Sequence, residues 1–78
     1  MNENLARYFE GTLTKDAALE EMKAGKRIAN RYFASDEYLY LDGRIIRTEE
    51  GYNFNRGWMD RNSEEWQTGW FVVNQLIN

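Results

Sequence analysis

Apolar positions along this chain fall into short blocks whose period changes from segment to segment. Between residues 3 and 10, Leu5, Tyr8 and Phe9 recur at i, i+3 and i+4, which predicts one short helical face closed by Gly11. A clearer helix follows. Thr14 is a candidate N-cap, and Asp16 places a negative charge in the first turn, where it suits the helix dipole. Ala18, Leu19 and Met22 form the apolar stripe, and Glu20, Glu21 and Lys23 face water. Gly25 stands where a left-handed cap belongs, and Lys23 and Lys26 flank the negative helix end.

After Gly25 the period drops to two. Arg27, Ala29 and Arg31 alternate with Ile28, Asn30 and Tyr32, which predicts a strand. Residues 37 to 48, EYLYLDGRIIRT, carry two β-prone runs separated by Asp42-Gly43, a pair suited to a two-residue type I′ hairpin turn. Leu39 and Leu41 share one face of this hairpin; Tyr38 and Tyr40 share the other. Bulky side chains on both faces imply cover on both, by the helix on one and by another subunit on the other. Gly51 predicts a second turn leading into a strand, in which Tyr52 and Phe54 alternate with Asn53 and Asn55. Asn62 or Ser63 can cap a short helical turn through Glu64 and Glu65, Gly69 ends it, and Trp70 opens a last strand. The predicted order is helix, strand, hairpin, strand, turn, strand. That is a single α+β domain over residues 1–78, with one main N-terminal helix packed on a small antiparallel sheet of about four strands.

Composition narrows the chemistry. A chain of 78 residues buries only about 60% of its unfolded surface, so its stability margin is thin and a homo-oligomer would help it. Histidine and cysteine are both absent. That removes disulfides, thiolate metal sites, the commonest general base and the commonest nitrogen ligand for zinc. An enzyme would have to use carboxylates, Lys or Tyr, and no arranged pair is visible. The expectation is a non-enzyme without metal or cofactor. A net charge of -3 argues against sequence-specific recognition of duplex DNA. The longest apolar run, near Trp70-Phe71-Val72-Val73, is too short for a membrane span, and Met1-Asn2-Glu3-Asn4 lacks the basic and apolar character of a signal peptide. A soluble, cytoplasmic protein with no membrane partner is expected.

Three constellations bear on function. In the first, Arg27, Asn30, Arg31, Tyr32 and Phe33, guanidinium groups can grip phosphate bidentately while a ring stacks on a base and Asn30 reads a polar edge. The same residues also fit a strand with a solvated basic face and aromatics in the core. In the second, Trp58, Trp66 and Trp70 could cage a flat ligand, but packing of the sheet accounts for them more simply, with Trp58 the ring expected to stay partly exposed. In the third, Glu49, Glu50, Asp60, Glu64 and Glu65 show neither a catalytic carboxylate spacing nor a calcium loop. They fit a solvated turn, or an acidic edge that mimics nucleic-acid phosphates and docks on a basic effector.

The run ALEEMKAGKRIA, the hairpin after it and the closing SEEWQTGWFVV together resemble the second family of small phage proteins that antagonise Thoeris immunity. The resemblance spans about residues 13 to 74 and is strongest at Ala18-Leu19, Lys23, Gly25-Lys26, Ile28 and Trp70. It departs from the family where an Arg and a Gly-Trp pair become Asn30-Arg31-Tyr32-Phe33, and where Ala-x-Asp-Trp becomes Gln67-Thr68-Gly69-Trp70. Members of that family are homo-oligomeric sponges that sequester cyclic ADP-ribose-type and related cyclic nucleotide signals without altering them. The resemblance implies a phage-type immune-evasion protein acting in the cytoplasm of an infected bacterial host cell. Its ligand-binding residues would be Arg27, Asn30, Arg31, Phe33, Tyr40 and Trp70, set at subunit interfaces. The alternative is a phage inhibitor, anti-CRISPR-like, that binds a host defence protein directly through exposed aromatics and the acidic turn.

Overall fold

A computed structural model describes Gly11 and residues 13–73. The predicted turn of helix over residues 3–10 and the continuation of the last strand past Val73 lie outside the described residues. Helix α1 spans Lys15–Lys23. It forms where the sequence signals placed it: Thr14 Oγ1 accepts from the Ala17 N–H at 3.1 Å, and Ala18 and Met22 are buried. At its far end Gly25 takes φ +92°. The Gly25 N–H then donates to Met22 O at 2.9 Å and the Lys26 N–H to Glu21 O at 3.1 Å. That is a complete Schellman closure, and it explains the glycine and much of the basic cluster without a ligand.

Strands β1 (Ile28–Asn30), β2 (Leu39–Asp42), β3 (Ile45–Thr48) and β4 (Trp70–Val72) form one sheet in the order β3-β2-β1-β4, with every pairing antiparallel. The α+β class is therefore as the sequence implied. The register pairs Ile28 with Leu39 and Val72, Asn30 with Trp70, and Leu41 with Ile46, which puts these side chains on one face. There Ile28, Leu39, Ile46 and Trp70 meet Ala18 and Met22 of α1 in the core. Both sheet edges are covered. Leu13 exchanges two backbone bonds with Trp70 on β4, while beyond β3 the Thr48 N–H donates to Tyr52 O and the Phe54 N–H to Ile46 O. No helix among the described residues is long and apolar enough to cross a membrane.

Two local expectations are corrected. The hairpin turns at Gly43-Arg44 rather than Asp42-Gly43, because Asp42 still pairs with Ile45. Gly43 has φ +63° and no non-glycine residue among the described residues has positive φ, the φ pattern of a type II′ turn instead of I′. Asp42 stays extended, and its carboxylate accepts from Arg47 Nε at 2.7 Å. The strand expected over Tyr52–Asn55 is absent too. Only Asn53 bridges Arg47, and helix α2 begins at Asn55 and runs to Asp60. Asparagine side chains take over the ladder here: Asn53 Oδ1 accepts from the Asn55 N–H at 2.9 Å and Asn55 Oδ1 from the Ile46 N–H at 2.7 Å. Gly57 inside α2 leaves room for the Phe54 ring, which a Cβ would approach to 2.7 Å.

Lys15 anchors α2 from a distance. Its side chain is 7% exposed, and Nζ donates to Trp58 O, to Arg61 O at 2.7 Å and to Asn62 Oδ1 at 3.3 Å. It caps the negative end of the second helix from the first turn of the first. Burial, and after it the positive charge of Arg61, hold its pKa below the usual lysine value, with Asp16 opposing.

Candidate functional site

The loop between β1 and β2 is shaped by side chains that replace a strand ladder. Asn30 is 1% exposed. Its Oδ1 accepts from the Tyr32 N–H at 3.0 Å and its Nδ2 donates to Thr68 O at 3.2 Å. This bends the chain after β1 and brings Tyr32 and Phe33 back over the tryptophans. Glu37 Oε1 accepts from the Ala34 N–H at 2.7 Å, and Glu49 Oε1 takes the Tyr38 N–H at 3.4 Å from the end of β3.

Between this loop and α2 lies a cleft of about 320 Å³. Tyr32, Phe33, Tyr38, Phe54 and Trp66 contribute rings to its lining, and Leu39 and Thr48 contribute from the sheet. Its charged members are Glu37, Glu49 and Arg61. The rings brace one another: Phe33 stands edge-on to Trp70 at 5.7 Å between centroids, and Tyr32 edge-on to Trp66 at 5.4 Å. Trp66 closes the 3₁₀ turn Glu64–Trp66, and its carbonyl accepts from Trp70 Nε1 at 2.6 Å. Arg61 sits just past α2 with its guanidinium carbon 4.8 Å from the centroids of both Phe54 and Trp66.

The six residues expected from the sequence to bind a ligand separate into four groups. Phe33 lines the cleft. Arg27 and Arg31 do not; each instead lies over a ring that does, Arg27 over Tyr38 at 4.7 Å and Arg31 over Tyr32 at 5.6 Å. Tyr40 lies on the sheet face away from α1, tilted against Tyr38 at 6.3 Å. Asn30 and Trp70 are internal: the amide of Asn30 is engaged at both ends, and Trp70 is 0% exposed at the centre of the core. The three tryptophans pack together, with Trp58 and Trp70 centroids 5.0 Å apart and Trp66 and Trp70 6.0 Å. Trp58 remains half-buried.

Sequence reasoning passed over Arg61, Glu37 and Phe54 as site residues. Nothing local marks Arg61, because its two ring partners lie on either side of it in sequence and converge only once α2 has formed. Among the described residues no cluster of three His, Cys, Asp or Glu side chains could hold a metal ion. The cleft thus presents five aromatic side chains, one guanidinium and two carboxylates. Beyond the cleft, Leu19, Leu41, Ile46, Trp58 and Met59 line an apolar groove of about 360 Å³ beside α1 and α2, where Met59 is 66% exposed.

Comparison of the chain with protein-family models, with curated proteins and with solved structures finds no match in any of the three.

Proposed function

We propose that this chain is a non-catalytic binding protein of the phage immune-evasion type, which sequesters a cyclic nucleotide signal in the aromatic cleft and leaves it chemically intact. The observation that carries this reading is the convergence of five aromatic side chains with one guanidinium in a single concavity. Base stacking on aromatic side chains contributes about 1–3 kcal/mol per base, and a guanidinium matches the geometry of a phosphate. The chain's resemblance to the Thoeris-antagonising sponges points the same way. On this reading the protein works in the cytoplasm of an infected bacterium as a homo-oligomer. The test is to incubate it with cyclic nucleotides, including cyclic ADP-ribose, and to measure free ligand before and after heat denaturation. Depletion followed by full recovery of intact ligand supports the proposal; a cleaved product, or no depletion of any ligand, refutes it.

The apolar groove with exposed Met59 favours a second reading, direct docking on a host defence protein. A stoichiometric protein partner recovered from host lysate, with no small molecule retained by the purified chain, would select it.

A further inference from the structure

We propose that Arg61 is the anion-recognition residue of the cleft, and that the ligand class it admits is a single nucleotide unit carrying one phosphodiester charge. This deepens the proposed function and rests on it. Arg61 is a cation with spare donors. Its Nη1 donates to Gly57 O at 3.0 Å, while its Nε is buried without an acceptor. None of the ion pairs among the described residues includes it. That buried Nε lies out of a ligand's reach, so the outer guanidinium nitrogens are the donors offered to the cleft. Its guanidinium carbon lies 4.8 Å from the ring centroids of both Phe54 and Trp66, contacts that restrict the fork before any ligand arrives. Lys15 stands behind it as a second positive charge, fully committed to carbonyl and amide oxygens.

The opposite wall sets the charge limit. Glu37 and Glu49 each use one carboxylate oxygen on a backbone N–H, which leaves the other to accept from ribose hydroxyls or base amines. Two carboxylates against one guanidinium leave the lining with a net negative charge, so an anion is held only where it sits directly on Arg61, and a polyphosphate is repelled. The volume of about 320 Å³ is at the small end of ligand pockets, about 300–1,000 Å³, and suits one nucleotide rather than an oligomer.

The experiment is calorimetric titration of adenosine, cyclic AMP, cyclic ADP-ribose and ATP into the native protein, Arg61→Gln and Arg61→Lys. The native chain should bind cyclic AMP at least about tenfold more tightly than adenosine, as expected for one charge-assisted contact, and should not bind ATP. Arg61→Gln should lose that preference, and Arg61→Lys should regain part of it. Tryptophan fluorescence under urea reports whether the variants are folded; if neither is, the native ranking alone decides. Equal binding of adenosine and cyclic AMP by the native chain, tight binding of ATP or cyclic ADP-ribose, or a preference that survives in Arg61→Gln would overturn the assignment while nucleotide binding stood. Binding of none of the four ligands would remove the proposed function along with it.

Discussion

Lys15 is the residue whose loss should cost this fold most for its size. It leaves the first turn of α1 and ends on three oxygens at the close of α2, Trp58 O, Arg61 O and Asn62 Oδ1. Helix α2 is six residues long and its N-cap makes no side-chain hydrogen bond, too short to persist without a tertiary anchor. Two effects of Lys15→Met oppose each other. Replacing a buried charge by an apolar side chain of similar shape removes a desolvation penalty and can be neutral or stabilising. Against that, the oxygens it served lose their donor, at about 1–3 kcal/mol for each buried group left unsatisfied. Trp58 and Arg61 are half-buried, so water recovers part of this. The second effect still wins, because methionine keeps the stem packing and supplies no donor. The expected net loss is about 2–3 kcal/mol, from an expected total of about 4–12 kcal/mol at ~0.05–0.15 kcal/mol per residue.

Urea denaturation followed by tryptophan fluorescence measures this directly, and a thermal midpoint lower by about 10–20 °C is the matching signature. A Lys15→Met protein within about 0.5 kcal/mol of native would show that the α2 carbonyls are solvated equally well without the ammonium, and the anchoring argument would fall. The alkaline range reads the opposing desolvation cost separately. The folded pKa of Lys15 is lowered from 10.5, mainly by burial, so the unfolded chain holds that proton more tightly. Stability therefore rises with pH between the folded pKa and 10.5. Subtracting the Lys15→Met profile should isolate that rise.

Two further substitutions separate structure from binding. Gly57→Ala should destabilise by about 1–3 kcal/mol in spite of alanine's better helix propensity. Its Cβ would stand 2.7 Å from Phe54 Cε1, so the ring that flanks Arg61 must move and cyclic AMP affinity should fall with stability in the same urea and calorimetric measurements. Asn30→Ala should cost about 2 kcal/mol by freeing the Tyr32 N–H and Thr68 O. Ligand affinity corrected for the folded fraction should then move less than it does for Phe33→Ala, and an equal or larger loss would mean that Asn30 touches the ligand.

The parts of the fold legible in the sequence are those whose cause is local. Thr14, the Ala18–Met22 stripe and Gly25 lie within one helix and its caps, and α1 formed as they predicted. The hairpin was legible as a hairpin, but its turn moved by one residue because cross-strand pairing and the Asp42–Arg47 ion pair hold Asp42 extended. The segment after Gly51 was misread for a related reason. Tyr52 and Phe54 show a strand period, yet Asn53 and Asn55 compete for the backbone, and Lys15, 43 residues before Trp58, anchors the helix that results. In the site, the β1–β2 loop stood out through its arginines and aromatics. The division of labour within it did not, because Asn30 finds its partner 38 residues away at Thr68.

Core and cleft share their rings, and that couples recognition to stability. Trp66 and Phe33 face the cleft on one side and pack on the fully buried Trp70 on the other. A ligand that engages them binds only the folded chain, so it stabilises that chain by RT ln(1 + [L]/Kd), about 2.7 kcal/mol at a hundredfold excess over Kd. In a 78-residue protein that is a large share of the whole margin, equivalent to a rise of about 10–20 °C in melting temperature. A large protein would dilute the same binding energy into a smaller shift. The small size that leaves this fold with so little stability of its own therefore makes it a sensitive reporter of what it holds.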